Sequence, residues 1–107
     1  MKDELSDLEL IKKNYRELKK ICEAFNVKKL FTFGSLVTGN FRPDSDIDFL
    51  VDFNNLDPEK YTDNYFELKF ALENLFHRKI DLLETKALKN PFLKKSINAS
   101  KRIIYGN

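Results

Sequence analysis

The chain has 107 residues, of which 42% are hydrophobic and 34% charged, and its formal net charge is +2 at pH 7. This length predicts one domain over residues 1–107, and the small net charge gives no support to direct nucleic-acid binding. A single cysteine, Cys22, excludes an intrachain disulfide and is predicted to lie in the core. The N-terminus is too polar for a signal peptide and no apolar run could cross a membrane, so we expect a cytoplasmic protein without a membrane partner.

The charges are unevenly distributed along the chain. Six acids and no base lie in residues 43–59, whereas six bases and no acid lie from residue 85 to the end. We call the second stretch the basic segment; its bases are Lys86, Lys89, Lys94, Lys95, Lys101 and Arg102. Two interpretations are open for it: a solvated face, or a docking surface for a partner or for substrate phosphates.

Apolar periodicity predicts the helices. Apolar residues at three- and four-residue steps over residues 5–25 indicate an amphipathic first helix. The same spacing over residues 61–76 indicates a second long helix, with Asp57 as its N-cap and Pro58 at its first position. Pro91 is expected to open a short third helix that ends near residue 97.

Apolar runs predict three strands, at Val27–Phe33, Ile47–Phe53 and residues 79–84. The first run is apolar on both faces, as is typical of an interior strand. Alternation in the second run places Asp48 on the side opposite to its apolar neighbours. Residues 103–105 predict either a short closing strand or a helical turn.

A glycine turn follows the first strand. Gly34 has no side chain to keep an anion from the backbone, Ser35 adds a hydroxyl donor, and a short helix over residues 35–38 would add the partial positive charge of its N-terminus. Gly34 and Gly39 have the outer spacing of a P-loop, but the Lys-Ser/Thr that would follow is absent. In the absence of other signals, a Gly-Ser turn after a strand more often indicates an ordinary turn. Arg42, the base nearest this turn, is either a surface residue or a phosphate or partner contact.

Three aspartates, Asp46, Asp48 and Asp81, lie in or beside runs that are expected to form interior strands, and Asp48 has no base nearby in the sequence to pair with it. Asp46 and Asp48 are two residues apart and would point to the same side of a strand. Such a pair can be an exposed edge or a cap, but an acid that enters a buried strand needs a partner. A hard cation with oxygen ligands would be suitable, and two magnesium ions would support phosphoryl transfer. His77 is interpreted as a turn residue and not as a ligand.

The combination of Gly34-Ser35, the run Arg-Pro-Asp-Ser-Asp-Ile-Asp at residues 42–48 and the later Asp81 resembles the nucleotidyltransferase superfamily that includes DNA polymerase β. The run and the small size are most similar to minimal nucleotidyltransferases, the antitoxin partners of HEPN-domain toxins. The resemblance covers most of the chain. It implies an α/β (α+β) fold with a short mixed sheet flanked by helices.

The resemblance also implies roles for individual residues. Gly34 and Ser35 would hold the triphosphate, Asp46 and Asp48 would bind two Mg²⁺ ions, and Asp81 would complete the metal site and help to activate the attacking hydroxyl. The implied reaction transfers AMP from ATP to a tyrosine hydroxyl of the HEPN toxin, an RNase, and releases pyrophosphate.

Two other functions are considered. Many relatives have Ala-Arg before the second glycine, where this chain has Val37-Thr38. This departure and the basic segment motivate a non-catalytic module that neutralises the toxin by binding it. Transfer to a small molecule, as in aminoglycoside-modifying relatives, is disfavoured because those enzymes carry an extra substrate-binding domain.

Overall fold

The computed structural model describes residues 9–34 and 46–106. Its helices are α1 (Tyr15–Ala24), α2 (Pro58–Phe76) and α3 (Pro91–Ser100), with a 3-10 turn at Thr85–Ala87. Its strands are β1 (Val27–Phe33), β2 (Ile47–Phe53), β3 (Ile80–Glu84) and β4 (Arg102–Tyr105).

The four strands form one mixed sheet in the order β3-β2-β1-β4. β1 pairs antiparallel with both β2 and β4, whereas β2 pairs parallel with β3. A parallel pair needs a crossover connection, and α2 provides it. The sheet confirms the predicted α/β architecture, and its order confirms β1 as an interior strand.

The main core lies on one face of this sheet, which we call the core face. Phe49 of β2 is fully buried there, and its ring lies 5.9 Å from that of Phe76, between ring centroids. Cys22 is fully buried in the same cluster, as predicted. The sheet contributes Val27, Leu30, Ile47, Val51, Phe53, Ile80 and Leu82, and the helices α1 and α2 contribute Leu18, Leu68 and Leu72. Burial of these apolar side chains is the main stabilising contribution to the fold.

The opposite side of the sheet carries the alternate residues of each strand. Phe31 pairs with Leu50 and Phe33 pairs with Asp48, so these four side chains share one side. Leu50 is buried, whereas the other three are half-buried. We call this side the acid-bearing face.

The ends of α2 agree with the sequence. Pro58 occupies the first helical position, although the side chain of Asp57 makes no capping hydrogen bond. His77 ends the helix in a left-handed conformation (φ 56°), and its N–H donates to the carbonyl of Glu73 at 2.8 Å. His77 is therefore the turn residue that was predicted.

The first helix differs from its prediction. Residues 9–13 are helical, but a turn at Asn14 separates them from α1, so the described helix is not continuous. The side-chain amide of Asn14 donates to the carbonyl of Leu10 at 2.9 Å. Asparagine competes in this way with the backbone for helical hydrogen bonds. The part of the predicted helix before residue 9 lies outside the described residues.

The C-terminal elements decide between the strand and the helical turn predicted for residues 103–105. Residues 102–105 form a strand and not a helical turn, and α3 continues to Ser100, beyond the predicted end near residue 97.

In the described part of the chain, no helix is both long and apolar enough to span a bilayer.

Candidate active site

Asp48 lies at the second position of β2, on the acid-bearing face. Its neighbours Ile47 and Phe49 are fully buried on the core face. The backbone carbonyl of Asp48 accepts a hydrogen bond from Thr32 Oγ1 at 3.2 Å. The pairing with β1 and this hydrogen bond fix the backbone of Asp48, so its carboxylate projects from a rigid strand. Asp46, two residues earlier, is exposed.

Asp81 lies directly across from Asp48, because β2 and β3 pair in parallel with these residues in register. The N–H of Ile47 donates to the carbonyl of Lys79 at 3.0 Å, which holds this end of the pair together. Residues opposite each other on neighbouring strands share a face, so Asp81 joins Asp48 on the acid-bearing face. Two carboxylates that are far apart in sequence are thus brought together.

The environment of Asp81 corrects one expectation from the sequence. Asp81 is exposed, and β3 is an edge strand among the four described. The expectation that all three aspartates lie in or beside interior strands is therefore wrong for Asp81. The apolar character of its run comes from Ile80 and Leu82, which pack in the core, and Asp81 alternates with them toward solvent.

The carboxylates affect one another electrostatically. Burial, with the neighbouring charges of Asp81 and Asp46, raises the pKa of Asp48 from 3.8 to about 6. Loss of hydration and repulsion between like charges both disfavour the ionised form. The side chain would therefore be stabilised by a cation or by a bound proton.

The three aspartates have the chemistry of magnesium ligands, because hard divalent ions prefer carboxylate oxygens. As the side chains stand, no group of three or more His, Cys, Asp or Glu residues in the described ranges is placed to hold a metal ion. The fit to magnesium therefore rests on Asp48 and Asp81, opposite each other, with Asp46 two residues away. These three would hold the ion, which would supply charge neutralisation to a bound phosphate.

Gly34 lies against the carboxylate of Asp48. Its φ is +75°, in the left-handed region that favours glycine. A Cβ at this position would overlap Asp48 Oδ2 and would lie 3.3 Å from its Cγ. A side chain at this position would be strained by the positive φ and would make the Asp48 carboxylate shift, so the structure brings the two predicted site residues into close contact.

Several predicted features lie outside the described residues. These are Ser35, the helix over residues 35–38, the Val37-Thr38 departure and Arg42. Their predicted roles stay predictions.

Two side chains that sequence reasoning did not single out lie close to the site. The hydroxyl of Tyr65 donates to the carbonyl of Leu82, and burial together with the charge of Asp81 raises its pKa. Lys101 Nζ lies 4.5 Å from the ring centroid of Phe31, on the acid-bearing face. Their only sequence signal was membership of a helical stripe for Tyr65 and of the basic segment for Lys101. The order of the strands was needed to place either.

Comparison with known proteins finds relatives over most of the chain. The profile of the nucleotidyltransferase domain family matches residues 15–104. A candidate protein adenylyltransferase of Methanocaldococcus jannaschii is 36% identical over 94 residues, which cover 87% of this chain and 93% of the relative. Protein adenylyltransferase MntA of Thermococcus cleftensis is 37% identical over 76 residues, covering 71% and 74%.

Solved structures share the architecture. A structure assigned as a minimal nucleotidyltransferase matches with a TM-score of 0.73 and 26% identity, covering 89% of this chain and 93% of the other. A complex of a tri-AMPylated HEPN toxin of Shewanella oneidensis with its MNT antitoxin matches with a TM-score of 0.62 and 18% identity, covering 90% and 72%. At the lower identity, the likeness concerns the fold alone.

Proposed function

The chain belongs to the nucleotidyltransferase domain family and is a nucleotidyltransferase, and from this premise we propose that it transfers AMP from ATP to a tyrosine hydroxyl of a cognate HEPN-domain toxin. The transfer would silence the toxin, so the protein would act as an antitoxin. Its relatives named protein adenylyltransferase support AMP as the transferred group and a protein as the acceptor.

One observation carries the proposal: Asp48 and Asp81 face each other in register beside the Gly34 turn. Carboxylates that repel each other need a cation, and a backbone without a side chain admits an anion. A magnesium-bound triphosphate supplies a cation for the carboxylates and an anion for the backbone of the glycine turn. The raised pKa of Asp48 supports this reasoning, since burial and the charges of Asp81 and Asp46 all disfavour its ionised form.

The proposed reaction is an in-line displacement at the α-phosphorus of ATP. The tyrosine oxygen forms a bond to this phosphorus, the bond from phosphorus to the bridging oxygen of the β-phosphate breaks, and pyrophosphate leaves. Asp81, exposed at the edge of the sheet, accepts the hydroxyl proton of the acceptor. Gly34 and Ser35 bind the triphosphate, and Arg42 adds a phosphate contact.

The metal contribution rests on the same aspartates. Magnesium bound to Asp46, Asp48 and Asp81 would neutralise charge that develops on the phosphates. Asp48 belongs to a rigid interior strand, so its position is defined before the nucleotide binds. The exposed Asp46 and Asp81 keep open the side from which nucleotide and acceptor approach.

The acceptor is proposed to be another protein. One structure with this fold is a complex of an MNT antitoxin with a tri-AMPylated HEPN toxin, and the shared fold makes a partner of that kind suitable here. The acceptor to test first is therefore any HEPN-domain protein encoded beside the gene of this chain.

The experiment is intact-mass spectrometry of that neighbouring protein after co-expression. When it is co-expressed with wild type, the acceptor should gain one or more units of about 330 Da, the mass gained per AMP. The double variant Asp46→Asn/Asp48→Asn should leave the acceptor unmodified, whereas Asp57→Asn, a control at an exposed residue just before α2, should modify the acceptor as wild type does. Peptide mapping should place the modification on a tyrosine.

An unmodified acceptor would contradict the proposal. If that acceptor still binds wild type and the double variant equally tightly, the protein neutralises the toxin by covering it. The absence of a ready three-carboxylate cluster among residues 9–34 and 46–106 is the observation that favours this second function.

A further inference from the structure

We propose that Lys101 binds the β- and γ-phosphates of the nucleotide and stabilises the pyrophosphate as it leaves. This inference rests on the proposed function and deepens it. It selects one residue of the basic segment and assigns it to substrate phosphates and not to a solvated face.

The sheet register places Lys101 at the same end of the sheet as the proposed catalytic acids. Arg102 of β4 pairs with Thr32 of β1, and Lys101 precedes it as the C-cap of α3, at the end of β4 nearest Phe33. Phe33 pairs with Asp48, and Asp48 pairs with Asp81 on the next strand. Lys101 therefore lies at the same end of the sheet as the two carboxylates, which are carried by β2 and by the edge strand β3.

The side chain of Lys101 lies on the same face as these carboxylates. Its Nζ is 4.5 Å from the ring centroid of Phe31, which pairs with Leu50 on the acid-bearing face. A cation above an aromatic ring is attracted to the electrons of that ring and is restricted in its motion. Phe31 thus holds the ammonium group on the face where a nucleotide would bind.

The spacing suits a triphosphate. Neighbouring strands are about 4.8 Å apart, so two strand spacings separate the start of β4 from β2 by about 10 Å between backbones. The ammonium group of Lys101 lies over Phe31, which is two residues before Phe33 on the same face. A metal-bound phosphate can lie at the Asp48 end, and the remaining phosphates can extend over Phe33 toward the ammonium group.

The charge of Lys101 is available for this role. In residues 9–34 and 46–106, no carboxylate lies within ion-pair distance of Lys101, and its ammonium group contacts the ring of Phe31. A phosphate oxygen can therefore bind the ammonium without displacing an acidic partner. A charge-assisted hydrogen bond of this kind is among the stronger polar contacts in proteins.

The test measures nucleotide binding by isothermal titration calorimetry, with magnesium present and without any acceptor protein. The probes are AMP-PNP, which has all three phosphate positions, and AMP, which lacks the outer two. Lys101→Met should weaken AMP-PNP binding about tenfold or more and leave AMP binding unchanged. Lys101→Arg should retain most of the affinity, because it keeps the charge.

Lys95→Met is the matched control, since Lys95 is an exposed member of the basic segment on α3. This control should bind AMP-PNP as wild type does. Urea unfolding of each variant measures any loss of stability that comes from losing the Lys101–Phe31 contact. A change in stability can then be distinguished from a direct loss of AMP-PNP binding. If Lys101→Met is folded and binds AMP-PNP as tightly as wild type, the inference is overturned; an equal loss for AMP-PNP and AMP would also overturn it.

The two proposals fail in different ways. Wild type that binds AMP-PNP but leaves its acceptor unmodified contradicts protein adenylylation and leaves the role of Lys101 standing. Wild type that does not bind AMP-PNP with magnesium contradicts both.

Discussion

The two faces of the sheet use alternate residues of the same strand for different purposes. On the core face, Ile47, Phe49 and Val51 are fully buried against α1 and α2. On the acid-bearing face, Asp48 is half-buried and faces Asp81. A slip of one residue in the register would exchange the two sets, so the hydrophobic core also fixes the position of the acids.

The faces also have opposite effects on stability. Burial of apolar side chains on the core face favours folding. On the acid-bearing face, the pKa of Asp48 is raised to about 6, which means that its ionised form is disfavoured in the folded chain. The site thus carries an electrostatic cost that the core offsets. Variants on each face should separate these contributions.

Asp48→Asn should have the largest effect on activity. We expect the rate of AMP transfer to fall roughly 1000-fold, because an amide oxygen without a charge is a poor substitute for a magnesium-binding carboxylate. The rate is measured with labelled ATP and the HEPN-domain acceptor. Asp52→Asn, on the same face of β2 but farther along, is the control and should transfer AMP at the wild-type rate. Equal rates for wild type and Asp48→Asn would show that Asp48 has no part in the chemistry.

Phe49→Ala should have the largest effect on stability. Removal of this fully buried ring should lower the free energy of unfolding by about 3–5 kcal/mol. Urea unfolding followed by circular dichroism measures the change. Phe92 is 83% exposed, so Phe92→Ala should change stability by less than about 0.5 kcal/mol. A similar loss for both variants would contradict the assignment of the core to one face.

Gly34→Ala should lower stability at the turn that contacts Asp48. The positive φ and the overlap with Asp48 should together lower the free energy of unfolding by about 1–3 kcal/mol. A double-mutant cycle with Asp48→Ala isolates the overlap, because the second substitution removes the carboxylate. If the two substitutions are additive, the turn does not press on Asp48.

The pH dependence of stability gives the smallest expected effect. The pKa of Asp48 is raised on folding, so the folded chain binds its proton more tightly, and stability rises as pH falls from about 6 toward 3.8. In metal-free buffer at pH 8, Asp48→Asn should therefore be more stable than wild type by on the order of 1 kcal/mol, after allowance for solvent screening. The difference should shrink at pH 5. Urea titrations at both pH values measure it.

Magnesium should sharpen this last comparison. At pH 8, addition of the ion should stabilise wild type and leave Asp48→Asn unchanged, because only wild type has the full set of carboxylates. If wild type is equally stable with and without magnesium, the repulsion between the carboxylates still stands, but the proposed metal site is not supported.

The parts of the fold that were predictable have strong local signals. β1 and β2 match their predicted bounds because each is an apolar run limited by turn residues, and α2 matches because Pro58 begins it and His77 ends it. Asp48 was identifiable for the same reason, since an acid inside an apolar run is anomalous wherever the strand lies in the sheet.

The rest depended on contacts between distant parts of the chain. The exposure of Asp81 follows from the position of β3 at an edge, which the apolar residues around it concealed. Lys101 was one of six bases in a segment without acids, and its place beside the acids needs the pairing of β4 with β1. The break at Asn14 was missed because one polar residue hardly disturbs an apolar stripe.

The parallel pairing of β2 and β3 has a consequence for biosynthesis. Asp48 leaves the ribosome well before Asp81, and the two can meet only after α2 has folded back across the sheet. Lys101 reaches its place later still, when β4, which follows it, pairs with β1. On the proposed mechanism, a nascent chain that ends before Ile80 holds only half of the site, so transfer activity begins only when synthesis is nearly finished.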